Sequence, residues 1–227
     1  ELCLSSANSI NVGRLLPQMV YYAKASLELW RADGRAPNFI IPTGNLGNAL
    51  ACVWAREIGL PIGEIVLAAN ANVTVPDFLR SGEWRPRPSV ATLASAMDVG
   101  NPSNMERLRW LFPDWNGLRG RLAAHSVSDD EIRVAIKRDY SRLGQTWCPH
   151  TATAASVYER LGQRRAGERW VLVATAHPAK FNDIVEPLIG AEVPVPPALA
   201  ALLALPSVQM AIGPAMGELR AVLGERA

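Results

Sequence analysis

The 227-residue chain is 49% apolar and 19% charged, the balance of a globular protein long enough for a sizeable core rather than of a disordered one. A formal net charge of +2, with basic residues scattered along the chain, gives no argument for a nucleic-acid or anionic-membrane partner. No apolar run reaches membrane-spanning length, no signal peptide is visible, and Cys3, Cys52 and Cys148 are too widely spaced for a disulfide framework or a zinc knuckle. Free thiols in a reducing compartment, a cytoplasmic location and no metal site are the expectations.

The chain opens on Glu1, and ELCLSSANSIN reads like the interior of a protein, so a truncated chain is expected. Leu15 to Trp30 carries apolar residues at helical spacing, with Pro17 in its first turn or kinking it and Asp33-Gly34 as its stop. Asn38 to Ile41 suits a buried strand before Pro42. A second helix spans Ala49 to Ile58, closed by Gly59 and Pro61, and Glu64 to Ala69 is a second buried strand. Val75 to Asn104, rich in Pro, Ser and Gly, reads as loops with short helices. Ser128 and Glu131 form a capping box that starts a charged amphipathic helix to about Leu143. Another helix covers Thr153 to Leu161, Arg169 to Ala174 is a third buried strand, and from Pro196 the tail is Ala/Leu helix with Pro breaks. Apolar strands alternating with helices predict an α/β fold, a three-layer parallel sheet with helices on both faces. In such sheets ligands bind beyond the carboxyl ends of the strands. Two strands end in unusual loops there, PTGNLGN after Ile41 and ATAHPAKF after Val173.

Gly44 and Gly47 flank Asn45 and Leu46, and Asn48 enters the helix. Glycines let the backbone turn tightly and bring N–H groups near an anion, and the start of a helix favours a phosphate. Gly-x-x-Gly after a strand is equally an ordinary tight turn. Neither the P-loop lysine nor GxGxxG is present, so a phosphate held here belongs to a cofactor other than a nucleotide.

Five segments in order resemble the threonine synthase family: NSINVGR (Asn8 to Arg14), PTGNLGN (Pro42 to Asn48), SAMDVGNPSNMERL (Ser95 to Leu108), PHTATA (Pro149 to Ala154) and ATAHPAKF (Ala174 to Phe181). The resemblance implies a tryptophan-synthase-β-like enzyme of pyridoxal-phosphate (PLP) fold type II, here incomplete. Residues 1–14 would be the end of the small domain and the crossover, and 15–227 would belong to the large, PLP-binding domain. It implies conversion of O-phospho-L-homoserine and water to L-threonine and phosphate, by a monomer or homodimer. The backbone N–H groups of Gly44, Asn45, Leu46 and Gly47, with the Asn48 side chain, would cradle the PLP phosphate. The family commonly shows an aromatic where Leu46 stands, but backbone donors do not depend on it. Thr175 would set a hydroxyl against the pyridine nitrogen.

Asn8, Ser9, Asn11 and Arg14 would grip the substrate, Arg14 through its phosphate; the other reading makes the first three helix caps and Arg14 a solvated first-turn residue. Ser103, Asn104, Glu106 and Arg107 match the family's SNxER segment without an assigned role, and His150 and His177 read as structural hydrogen-bonders. The family's Schiff-base lysine lies upstream in an S-F-K-D-like pattern. None occurs here, and Lys24, Lys137 and Lys180 match other positions, so no catalytic residue is assigned and the chain alone is expected to be inactive. A phospho-lyase for a related phosphorylated amino acid and a non-catalytic phosphometabolite-binding module are the competing readings.

Overall fold

The computed structural model describes residues 8–162, 167–207 and 209–224. Cys3 and residues 1–7 of the expected small-domain end lie outside them.

Four parallel strands form one sheet in the order β3-β2-β1-β4: β1 (Asn38–Pro42), β2 (Ile65–Ala69), β3 (Ala123–Ser126) and β4 (Trp170–Leu172). Phe39 pairs with Ile65 on one side of β1 and with Val171 on the other. Because all strands run the same way, the loops after β1 and β4 leave the same edge of the sheet. The two motif-bearing loops therefore meet, as the sequence led one to expect.

Successive residues of β1 and β2 face opposite sides. Phe39, Ile41, Ile65 and Leu67 join one buried cluster with Leu15 and Tyr22 of α1 (Val12–Asp33) and Leu50 and Val53 of α2 (Gly47–Glu57). Ile40, Val66 and Ala68 point the other way, toward α7 (Pro149–Gly162), which touches both strands. Ala152, Ala154 and Ala155 of α7 are buried, and small side chains there let the helix lie close to the sheet. The three-layer parallel architecture is thus as expected.

α1 begins three residues earlier than its apolar spacing implied. Asn11 caps it, its side chain accepting from Gly13 N, and Pro17 sits inside an exposed stretch. The helix closes at Gly34 in the left-handed conformation, whose N–H donates to Trp30 O. α3 (Thr74–Ser81) is followed by the 3-10 turn Ser95–Met97, and α4 (Met105–Leu111) and α5 (Trp115–Arg119) lead to β3. α6 (Asp129–Leu143) carries the Ser128/Glu131 capping box in both directions.

Two expectations need correction, and one strand was missed. β4 is a half-buried edge strand of three residues, not a buried one of six, because nothing described pairs with its outer side. The helix expected over Thr153 to Leu161 starts earlier, at Pro149, so PHTATA forms its first turn and a half. β3 went unread because AAHS has no β-branched or aromatic residue to signal a strand.

After the 3-10 turn Pro178–Phe181 and α8 (Asn182–Ile189), the described part of residues 8–193 closes as one compact unit. The described part of residues 194–227 forms another, with α9 (Pro197–Leu203) and α10 (Met216–Gly224). Among the described residues no helix is long and apolar enough to cross a membrane. Cys52 and Cys148 are buried free thiols, and burial pushes Cys52 well above the usual thiol range.

Candidate active site

The loop after β1 delivers its backbone donors to the mouth of the sheet. Leu46, the N-cap of α2, adopts φ 61° and ψ 8°, the only described non-glycine residue with positive φ, and no side chain caps the helix start. A left-handed leucine costs about 1 kcal/mol or more. Its side chain, 1% exposed, is anchored in the main core cluster and holds that conformation in place. No described residue accepts a hydrogen bond from the N–H groups of Gly44, Asn45, Leu46 or Gly47. Four free donors at the N-terminus of an eleven-residue helix are an anion site.

The glycines are required by close approach. A Cβ on Gly44 would lie 2.6 Å from Met97 Cα, and one on Gly47 would lie 2.8 Å from Ser9 Cβ. Asn48 braces the loop: its Oδ1 accepts from Thr43 Oγ1 (2.7 Å) and Ala49 N, and its Nδ2 donates to Pro42 O (2.9 Å).

A cleft of about 330 Å³ opens over this loop, lined by Ser9, Arg14, Asn45, Asn48, His150 and Thr175 among others. A second cavity, about 550 Å³, shares Arg14, Gln18, Asn48 and Thr175 with it. Both sizes suit a small cofactor and its substrate. Neither is lined by an aspartate or glutamate. Thr175 is exposed, its backbone N donating to Thr151 Oγ1 at 3.4 Å.

The SNxER segment, without a role in the sequence, fastens the Asn8–Arg14 stretch to the loop. Asn45 Oδ1 accepts from Ser103 N (2.7 Å) and Ser103 Oγ (3.0 Å), while Asn45 Nδ2 donates to Ser9 Oγ (2.8 Å). Asn104 is fully buried, and its Nδ2 donates to Asn45 O (2.9 Å) and Ser9 Oγ (3.2 Å). Arg107 donates to Asn104 Oδ1 and to Ile10 O (2.6 Å). Asn8 reaches the same knot, accepting from Asn45 Nδ2 at 3.4 Å. Asn11 stands at the cap of α1, off the cleft lining, whereas Ser9 and Arg14 line the cleft itself.

A second polar cluster was not legible beforehand. Asp98 accepts from Asn70 Nδ2 (2.7 Å), Thr92 Oγ1 (2.7 Å) and Thr92 N (3.0 Å), and Asn72 Nδ2 donates to Asn70 Oδ1 (2.9 Å). It ties the end of β2 to the turn carrying Met97, the wall against which Gly44 packs. The sequence signal was DVG inside the third motif, but its partners Asn70 and Asn72 lie in none of the five segments.

His150 is buried at 4% exposure, and its Nε2 accepts from Ala96 N at 3.1 Å, so the proton sits on Nδ1. Burial holds its pKa below the ordinary 6.5; Asp98 opposes this and Lys180 adds to it. The unfolded chain therefore takes up a proton near pH 6.5 that the folded chain resists, and stability falls as pH drops below that value. His150→Gln, which keeps an acceptor for Ala96 N–H, should flatten stability between about pH 6.5 and pH 5, read as urea midpoints across that window. An unchanged slope would show that other groups carry it. The lowered carboxylates Asp33, Glu131 and Asp139 titrate below this window.

A family model described as Pyridoxal-phosphate dependent enzyme matches residues 10–176, and the chain belongs to that family. Its fold is that of the type II enzymes and its cofactor is pyridoxal phosphate. The particular resemblance is to threonine synthases: a model described as Threonine synthase, C-terminal, matches residues 151–222. Threonine synthase of Serratia marcescens is 40% identical over 98% of this chain and 51% of its own length. The crystal structure of threonine synthase from Escherichia coli superposes with a TM-score of 0.87 at 35% identity, covering 99% of this chain and 52% of that one. PLP-bound threonine synthase from Brucella melitensis gives 0.78 at 33% identity, over 89% and 48%. The chain spans about half the length of the curated relatives it matches.

The residues present fit that cofactor. Free backbone donors, and a cradle that a Cβ at Gly44 or Gly47 would fill, suit its phosphate, and Thr175 offers a hydroxyl in the same cleft. Among the described residues no cluster of His, Cys, Asp and Glu could hold a metal ion.

Proposed function

We propose that this chain is the cofactor-binding part of a threonine synthase, a carbon–oxygen lyase that converts O-phospho-L-homoserine and water to L-threonine and phosphate. The observation that carries the reading is the meeting, in one acid-free cleft, of the phosphate loop, Thr175 and Arg14. The N–H groups of Gly44 to Gly47 hold the cofactor phosphate, with Asn48 keeping the loop in shape. Thr175 would offer its hydroxyl to the ring nitrogen, and a hydroxyl partner there would favour the unprotonated nitrogen. Bound PLP supplies an electron sink for loss of the substrate's phosphate. Arg14 grips that phosphate through its guanidinium, and the knot of Asn8, Ser9, Asn45 and Asn104 sets the position of the α1 start that presents it. Asn11 acts through the same helix start, as its cap. Residues 1–14 end the small domain and 15–227 belong to the large one. A cytoplasmic monomer or homodimer is the form this reading carries with it.

None of the three lysines matches the family's cofactor-anchoring pattern, so the chain alone binds PLP without turnover. The test is a chimera in which this chain replaces the corresponding half of the Escherichia coli relative. It should release phosphate from O-phospho-L-homoserine, and Arg14→Ala in it should raise KM by about tenfold or more. A chimera that binds PLP yet releases phosphate only from a different phosphorylated amino acid would overturn the substrate assignment. Phosphate release by the unfused chain would overturn its expected inactivity.

A further inference from the structure

The cleft holds one more charge than this reaction scheme uses. Lys180 lies in the 3-10 turn Pro178–Phe181, five residues beyond Thr175, with its side chain exposed and lining the same cleft as Arg14. The turn is fixed at both ends. His177 Nδ1 accepts from Ala179 N at 3.2 Å, and the Phe181 ring lies 4.9 Å from the His150 ring. The backbone is thereby held at the cleft wall while a flexible four-carbon stem carries the ammonium.

Among the described residues no carboxylate comes within ion-pair reach of either Lys180 or Arg14. Other described cations differ: Arg35, Arg80, Arg87, Arg121 and Arg138 each sit against an aspartate or glutamate. His150 lines the same cleft, and its burial disfavours the charged form. A concave site with two uncompensated cations and no acid in its lining raises the local concentration of anions and favours a multiply charged one. The cofactor's phosphate is met by four backbone donors and needs neither cation.

We propose that Lys180 is a substrate-binding residue whose ammonium, together with the Arg14 guanidinium, neutralises the dianionic phosphate of an amino-acid phosphomonoester bound beside the cofactor. The proposal rests on the function proposed above and adds its specificity device. Arg14 gives the bidentate, oriented contact, and Lys180 gives the second positive charge that separates a phosphorylated amino acid from its free hydroxyl form.

Inorganic phosphate is the probe, followed by phosphorus NMR and calorimetry on the purified full chain at low salt. The chain should bind two phosphates, and one should remain once PLP saturates the loop. Lys180→Gln should weaken that remaining phosphate by about tenfold, leave PLP affinity within about twofold, and be largely rescued by Lys180→Arg. Three results would overturn the proposal: a PLP-loaded chain that binds no phosphate, an unchanged phosphate affinity in Lys180→Gln, or an equal loss of PLP affinity in that variant, which would assign the ammonium to the cofactor. Failure of the cofactor assignment reads differently. The chain would then not bind PLP, while Lys180→Gln would still weaken phosphate in a Gly44→Ala background.

Discussion

Gly44→Ala should abolish measurable PLP binding by the chain and lower its stability by about 2–4 kcal/mol. The new methyl would lie 2.6 Å from Met97 Cα, 2.8 Å from Met97 O and 2.9 Å from Met97 C. All three are backbone atoms, so no rotamer change relieves the contact. Met97 cannot readily withdraw either, since the next residue, Asp98, is clamped to Asn70 and Thr92. The loop must move instead, and a shift of about 1 Å misaligns every donor aimed at the phosphate. PLP titration followed by protein fluorescence, with urea unfolding alongside, measures both effects. Gly217→Ala is the control, because a Cβ there meets nothing within 4 Å in α10. Retention of PLP affinity within about threefold in Gly44→Ala would remove the close approach as the reason for glycine.

Asp98→Ala should destabilise the protein by about 2–4 kcal/mol. The substitution strands the hydroxyl and N–H of Thr92 and removes one of three acceptors from the Asn70 amide, which is 1% exposed and keeps Thr92 Oγ1 and Ala94 O. Hydrogen bonds to a charged group contribute about 1.5–3 kcal/mol each, and buried donors left unpaired add their desolvation cost. Asp98→Asn should cost less, because one oxygen still accepts while the new NH2 group faces the Thr92 N–H. The loss should also reach the cleft, through the loosened Met97 wall, as weaker PLP binding. A urea midpoint for Asp98→Ala equal to that of the unaltered chain would show that the cluster is solvated rather than structural.

Legibility from the sequence followed the source of the signal. Local chemistry read well: the Ser128 capping box and the Gly34 stop are backbone events that depend on neighbouring residues. So did β1 and β2, whose burial on both faces leaves unbroken apolar runs. β3 and the true extent of β4 did not, because both are edge strands made by pairing with a partner rather than by their own composition. The site divided the same way. Gly44 and Gly47 announce themselves, whereas Asn104, buried at the joint between residues 9 and 45, stood out only through the SNxER resemblance and with no role. Nothing local predicts that Ser103 and Asn45, 58 positions apart, share a hydrogen bond.

Leu46 bears on how quickly the site can fill. A glycine-built loop that is mobile before its ligand arrives must freeze on contact, and each ordered residue costs about 1–2 kcal/mol of conformational entropy. Here a left-handed residue is pinned by a side chain sunk in the core, so that cost falls on folding rather than on capture of the ligand. The donors wait in formation, and association should be limited by diffusion and orientation rather than by rearrangement of the loop.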